Sequence, residues 1–571
     1  MPAKKLSVVL CWHMHQPDYR NLRTGEYRLP WTFLHVIKDY TDMAHHLENH
    51  PQARAVVNFA PVLLEQIEDY SQQVQGFLKQ GSPVHDPLLA ALVDATPPTE
   101  GTVRQGLIKA CLRAQRERQI NRHPAYRRLA ELADWLQKHP DDVRYLSSQY
   151  LVDLIVWYHL AWLGESIQRN DSRAKRLIER GHGFTLEDRR KLLELIGEHL
   201  GTVVSRYRAL AERGQIELSV TPYAHPILPL LLDLNSTLEA LPDARMPLLE
   251  RYPGGEARGR WHIEKGQETF ERFFGFRPEG CWPAEGGVST PALQLLGEAG
   301  GFRWAASGGN VLRASLAASQ APDQSSACAV FRPYRVTENP IACFFRDDGL
   351  SDLIGFKYAD WHADDAVGDF IKHLENIAHA CGREGDAIVP IVMDGENAWE
   401  HYPHNGYYFL DALYERLSNH PELELTTFSA YLDKHPDTRF LRRMVAGSWV
   451  YGTFSTWIGD TDKNRAWDLL GAAKRVFDRV AASGRLSAEQ RREADMQLAV
   501  CEGSDWFWWF GDYNPEEIVS DFERQFRLNL ANLYLLLGEE PPHTLAEVFS
   551  HGGGAPLKGG AMRPGNPEAG I

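Results

Sequence analysis

The stretch PIVMDGENAWEHYPHNG, residues 390–406, places Asp394, Glu396 and Glu400 within seven positions, behind an apolar run and among aromatic side chains. Carboxylates so spaced can hold a cation, solvate a loop or supply half of an acid–base pair, and nothing inside the stretch decides. Similar groups recur along the chain: His13, His15 and Gln16 in CWHMHQP, Tyr223 and His225 in VTPYAHP, Trp282 and Glu285 in CWPAEGG, Asp505 and Trp506 in GSDWFWW. A carboxylate pair can divide nucleophilic and acid–base work on an acetal, and flat indoles can stack on sugar faces. His13 and His15, two apart, face the same way on an extended backbone. His13, His15, His225 and Asp394 could also supply zinc ligands. H-x-H with scattered partners is a weak metal pattern, however, and H-E-x-x-H is absent. No metal and no cofactor is expected.

The positioning elements follow from the apolar runs. Eight short β-branched or apolar segments, at 6–12, 53–59, 215–220, 278–282, 301–307, 341–346, 388–393 and 423–428, read as strands buried on both faces. Helical patterns separate most of them, as in the amphipathic stretch 185–214, which stops at Gly214. Strand alternating with helix predicts an α/β fold, a barrel or a doubly wound sheet, and seven or eight strands favour the barrel. In such barrels the reactive residues follow the C-terminal strand ends, which open onto one face. His13, His15, Trp282, Glu285, Asp394 and Glu396 all stand just past such runs. The expected organisation is a catalytic barrel over 1–436 with a helical insertion at about 61–210, a C-terminal helical domain over 437–550, and a disordered Gly/Pro-rich tail over 551–571.

Taken in order, HMHQP, ELSVTPYAHPILPLL, GCWPAEGGVS and IVMDGENAWEHYP resemble the sequence regions of glycoside hydrolase family 57. NFAPVLLEQI, FFRDDGLSDLIGF, WIGDTDKNRAW and EGSDWFWWFGD look like further parts of its α-amylase-like pattern. The resemblance implies a seven-stranded irregular barrel with a C-terminal helical domain, acting on α-glucans with retention. By resemblance Glu285 is the nucleophile and Asp394 the general acid/base, which sets an expected carboxyl separation of about 5–5.5 Å. His13, His15 and Gln16 then bind sugar hydroxyls at the cleaved unit, with His225 beside them. Glu396 supports Asp394 or meets substrate. Trp282, Trp399 and Trp457 are candidates for stacking on glucose rings or for core packing. Asp505 and Trp506 bring the helical region to the cleft, whereas Trp508 and Trp509 read as helix core.

Composition narrows the alternatives. With 61 Lys+Arg against 76 Asp+Glu, a net charge of -15 and no basic run, nucleic-acid binding is excluded. The most apolar long segment, 150–164, carries Asp153 and His159 and is too short to span a membrane. Seven scattered cysteines without C-x-x-C suggest reduced thiols and a cytoplasmic protein. The expected partner is an α-glucan or malto-oligosaccharide. Within the family the alternatives are a 4-α-glucanotransferase or a branching enzyme. Outside it they are a metal-dependent barrel of the polysaccharide deacetylase or α-mannosidase type, or a non-catalytic glucan-binding protein.

Overall fold

The computed structural model describes residues 5–321, 325–336, 340–381, 386–555 and 561–565. Its strands are β1 (Leu6–Met14), β2 (Ala55–Phe59), β3 (Ile216–Val220), β4 (Gly280–Cys281), β5 (Trp304–Gly308), β6 (Tyr334–Val336), β7 (Ala342–Arg346), β8 (Ile388–Asp394), β9 (Leu423–Leu425) and β10 (Arg439–Leu441). Each of the eight apolar runs contains a strand. β6 and β10 escape the apolar pattern because they are three residues long and lie outside the barrel, with Arg335 and Phe440 exposed.

Seven strands run parallel in the order β7-β5-β4-β3-β2-β1-β8. The ring closes where the Asp347 N–H, just past β7, donates to the Pro390 carbonyl of β8 at 2.9 Å. Closure is irregular because β6 pairs antiparallel with the lower part of β7, at Tyr334 and Cys343. The barrel strands are buried along nearly their whole length, as parallel strands covered on both faces must be. The register sets the chemistry level: His13 of β1 stands opposite Asn58 of β2 on one side and Asp394 of β8 on the other.

Between β2 and β3 the chain is helical from Pro61–Gln80 through Leu186–Glu212. Asp153, which breaks the apolar segment 150–164, accepts the backbone N–H groups of Gly183 and Phe184 inside that region. After β10, helices Thr461–Ala482, Ala488–Cys501 and Glu516–Leu536 pack on the barrel. Among the described residues no helix is long and apolar enough to cross a membrane.

Two expectations need correction. Five cysteines are free and buried, but Cys328 and Cys381 form a disulfide with Cα atoms 5.6 Å apart. Their separation of 53 residues gives no spacing motif; the fold alone brings the turn ahead of β6 to the end of helix Ala363–Cys381. The tail is also not free throughout. Gly553 and Gly554 donate their N–H groups to the Asn514 carbonyl, and Met562 and Gly565 are buried. Close backbone approach, which glycine permits, substitutes here for apolar bulk. Residues 556–560 and 566–571 of that tail lie outside the described residues.

Candidate active site

The C-terminal ends of the strands open into a cavity of about 410 Å³, in which Glu285, Asp394, Glu396 and Asp505 share one wall system with His13, His15 and Gln16. Asp394 is the last residue of β8. Glu285 lies in a tight turn four residues beyond β4 and holds φ at +57°, a left-handed conformation that a non-glycine residue adopts only when its surroundings impose it. The constraint is visible: the Glu285 carbonyl accepts the Trp449 N–H at 3.0 Å, and Val288 pairs with Gly447 in a two-residue bridge. The same Trp449 turns its indole N–H onto Glu285 Oε2 at 2.8 Å. Trp449 is itself sandwiched between Trp282, 5.4 Å away edge-on, and the Arg346 guanidinium at 4.7 Å. Arg346 is held by Asp348 at 2.9 Å and Asp352 at 2.6 Å.

Burial sets the electrostatics. It pushes the Glu285 carboxyl well above the usual range, and the Asp394 charge adds to this, against the Trp449 N–H that favours the carboxylate. Burial likewise lifts Asp394 to about 6, opposed by the Asn397 amide donating at 3.1 Å and by His15 and Arg346. Glu396 is raised too, by burial and then by Asp394. Both carboxyls are thus shifted toward their protonated forms, chiefly by burial, and the Asp394 charge acts on Glu285 in the same direction.

The imidazoles form a stack. His15 and His225 lie face to face at 3.8 Å between ring centres, and His13 and His225 at 5.1 Å. Asn58, whose amide donates to Ser219 Oγ at 3.0 Å, offers its oxygen to His13 Nδ1 at 2.7 Å. His13 therefore carries its proton on Nδ1 and presents a lone pair on Nε2. That atom sits 3.1 Å from His225 Nε2, which must donate, leaving His225 Nδ1 to accept from Ser504 Oγ at 2.7 Å. Both rings are neutral: burial pushes His13 down to about 3 and His225 well below its ordinary value. His15 Nε2 bonds to both Asp505 oxygens, at 2.8 and 3.0 Å. Its Nδ1 is buried with no partner among the described residues, as are Glu396 Oε2 and Trp282 Nε1. Such atoms are costly to leave unpaired and are available to a ligand.

His15, His225 and Asp505 offer ligand atoms within 4.8 Å of one another, the one group among the described residues that could hold a metal. The donor set fits poorly. His225 has both ring nitrogens engaged, to His13 and Ser504, and His15 Nε2 is already bound to Asp505. A cation held by all three residues would have to displace hydrogen bonds of His225. Asp394, counted with the histidines in the sequence, is not in the group.

Placement of the remaining candidates is mixed. Gln16 donates to Glu396 at 3.3 Å and accepts from Tyr19 at 2.9 Å. Trp282 is fully buried beneath the site, 6.5 Å from the His13 ring. Trp399, Trp457 and Trp506 are buried in the core: Trp399 bonds the Gly395 carbonyl, Trp457 packs on Trp508, and Trp506 bonds the Val500 carbonyl. The indoles that line the cavity are Trp31, Trp162, Trp508 and Trp509. Residue type does not say which side of an element faces the cleft. Asn58, Trp449 and Ser504 escaped sequence reasoning; Asn58 alone carried a usable signal, a polar side chain near the end of an apolar strand.

A seven-stranded parallel barrel with paired buried carboxyls, imidazoles and indoles at one mouth is the architecture of a glycoside hydrolase or transglycosylase. The profile described as glycosyl hydrolase family 57 matches residues 9–445, and the chain belongs to that family. Among solved structures it is similar to the GH57 branching enzyme of Thermococcus kodakaraensis, at 15% identity and TM-score 0.55, covering 93% of this chain and 90% of that one. The α-amylase AmyC of Thermotoga maritima is 14% identical at TM-score 0.55, covering 94% and 93%. The 4-alpha-glucanotransferase of Thermococcus litoralis is 14% identical at TM-score 0.50, covering 93% of this chain and 60% of that one. At these identities the likeness is one of fold. No match is found among curated proteins.

Proposed function

We propose that the protein is a retaining enzyme of α-1,4-glucans, α-amylase-like, with Glu285 as nucleophile and Asp394 as general acid/base. The observation that carries this reading is the burial of these two carboxyls in one cavity at the barrel mouth, at the positions where the family motifs stand. In the first step the Glu285 carboxylate attacks the anomeric carbon while the glycosidic bond breaks. The leaving oxygen takes the proton of Asp394. In the second step the Asp394 carboxylate accepts a proton from water or from a sugar hydroxyl, whose oxygen displaces Glu285 from the anomeric carbon. The Trp449 indole N–H is placed to stabilise the Glu285 carboxylate when the proton is on Asp394. His13, His15, Gln16, His225 and Glu396 are read as the cradle for the cleaved sugar, through the unpartnered His15 Nδ1 and Glu396 Oε2. The catalytic unit is read as residues 1–436, with the helices of 437–550 supplying Asp505.

Incubation with maltoheptaose tests the reading. Shorter maltodextrins alone mean hydrolysis, longer ones mean 4-α-transfer, and a new α-1,6 linkage by NMR means branching. All three keep the proposed chemistry and differ only in the acceptor. Absence of any product from α-glucans, or zinc-dependent activity abolished by EDTA, would overturn it.

A further inference from the structure

The segment 561–565 is poor in apolar bulk, yet it is seated at both ends. The Gly565 N–H donates to the Asp352 carboxylate at 2.9 and 3.2 Å, and its carbonyl accepts from Asn310 Nδ2 at 2.8 Å. A Cβ at Gly565 would lie 2.9 Å from Asp348 Oδ1 and 3.0 Å from Arg346 Nη2, so a side chain there would have to shift that ion pair. Asp352 is the carboxylate that holds Arg346, and Arg346 stacks on the Trp449 that touches Glu285. At the other side Arg563 donates to Asn514 Oδ1 at 2.8 Å and lies over the Trp508 ring at 5.5 Å. Asn514 is fully buried and fixed by donating to the Trp508 and Trp509 carbonyls at 3.3 and 2.9 Å. The segment thus bridges the barrel rim and the helical region across the cleft, and Arg563 lines the same cavity as Glu285 and Asp394.

Arg563 is unusual in its pairing. The cavity is acidic, but among the described residues Arg563 forms no ion pair; its hydrogen-bond acceptors are Asn514 Oδ1 and, at 3.4 Å, the Met562 carbonyl. A guanidinium has five N–H donors, and a half-buried one without a carboxylate is costly unless a ligand satisfies it. Since no carboxylate lies within ion-pair distance, the guanidinium stands away from the reacting pair. Neutral sugar hydroxyls match such a donor fork.

We propose that the segment 561–565 is a working wall of the cleft and that Arg563 is a glucan-binding residue, donating N–H bonds to hydroxyls of a sugar unit distant from the scissile bond. The proposal rests on the α-glucan reading above. Its test is the kinetics of Arg563→Ala and Arg563→Lys, in the full chain, on maltotriose and maltoheptaose. Arg563→Ala raises KM for maltoheptaose about tenfold or more, the worth of a hydrogen bond to a charged group. It leaves kcat within about twofold, the melting temperature unchanged and maltotriose kinetics as in the parent. Arg563→Lys gives an intermediate rise with the same chain-length selectivity. Unchanged KM for maltoheptaose in an active Arg563→Ala enzyme overturns the proposal alone. So does an equal loss on both substrates. Should Arg563→Ala not fold, the same comparison on Arg563→Lys decides. A parent inactive on α-glucans overturns this proposal and the function it rests on together.

Discussion

At the residue scale, the protons of the carboxyl pair connect catalysis to stability. Glu285 has a folded pKa above its unfolded one, so the native state binds more protons than the unfolded state over that interval, and stability falls as pH rises through it. Glu285→Gln removes this penalty. We expect the variant to lose activity by a factor of about 10³ or more. Its melting temperature should exceed that of the parent at pH 8, with the difference vanishing near pH 4, as read by calorimetry at the two pH values. Trp449→Phe keeps the ring between Trp282 and Arg346 and removes the N–H to Glu285 Oε2. It should lower kcat about 10- to 100-fold with KM little changed, because a donor to the nucleophile acts on developing charge more than on binding. Asp394 and Glu285 stood out in sequence because each follows a strand run within a few residues. Trp449 did not: its partner is 164 positions away, and only the Val288–Gly447 bridge brings the two together.

At the element scale, the segment after helix Ala488–Cys501 does two jobs in four residues. Ser504 and Asp505 fix His225 and His15, while Glu502 anchors the segment to helix Gly255–Phe274. Glu502 is buried and accepts Arg258 at 2.8 Å, His262 at 2.8 Å and Tyr252 at 2.6 Å. Arg258 and His262 hold its carboxyl down to about 2 despite burial. Its folded pKa is below the unfolded value, so this contribution is present above the unfolded pKa and is lost as pH falls toward 2. Glu502→Gln removes the main counter-charge of the buried Arg258 guanidinium, which keeps only Asp495 at 3.2 Å. We expect a loss of about 3–5 kcal/mol at pH 7 in denaturant unfolding, with a smaller loss at pH 3. The eight apolar strand runs were readable because parallel strands buried on both faces need continuous apolar sequence. β6 and β10 were not, because they sit outside the ring and alternate with exposed side chains.

For the whole molecule, what could not be read is what joins distant parts of the chain. The Cys328–Cys381 disulfide straps a segment that contains β7, Arg346 and Asp352. Replacing both cysteines by serine should cost about 2–4 kcal/mol, the worth of closing a loop of this length, seen as a lower melting temperature without reductant and no further drop with it. The tail was unreadable for a related reason: glycine backbone bonds to Asp352 and Asn514 leave no apolar signature. Barrel, helices and tail all line one cavity, and the central claim is that a sugar becomes covalently attached there to Glu285. Peptide mass spectrometry after reaction with a 5-fluoro-α-glucosyl fluoride tests that claim most directly. The account predicts one glycosyl adduct, on the peptide carrying Glu285, discharged on adding maltose. An adduct on Asp394 or another carboxylate, or turnover of α-glucans with inverted product and no adduct, would contradict it.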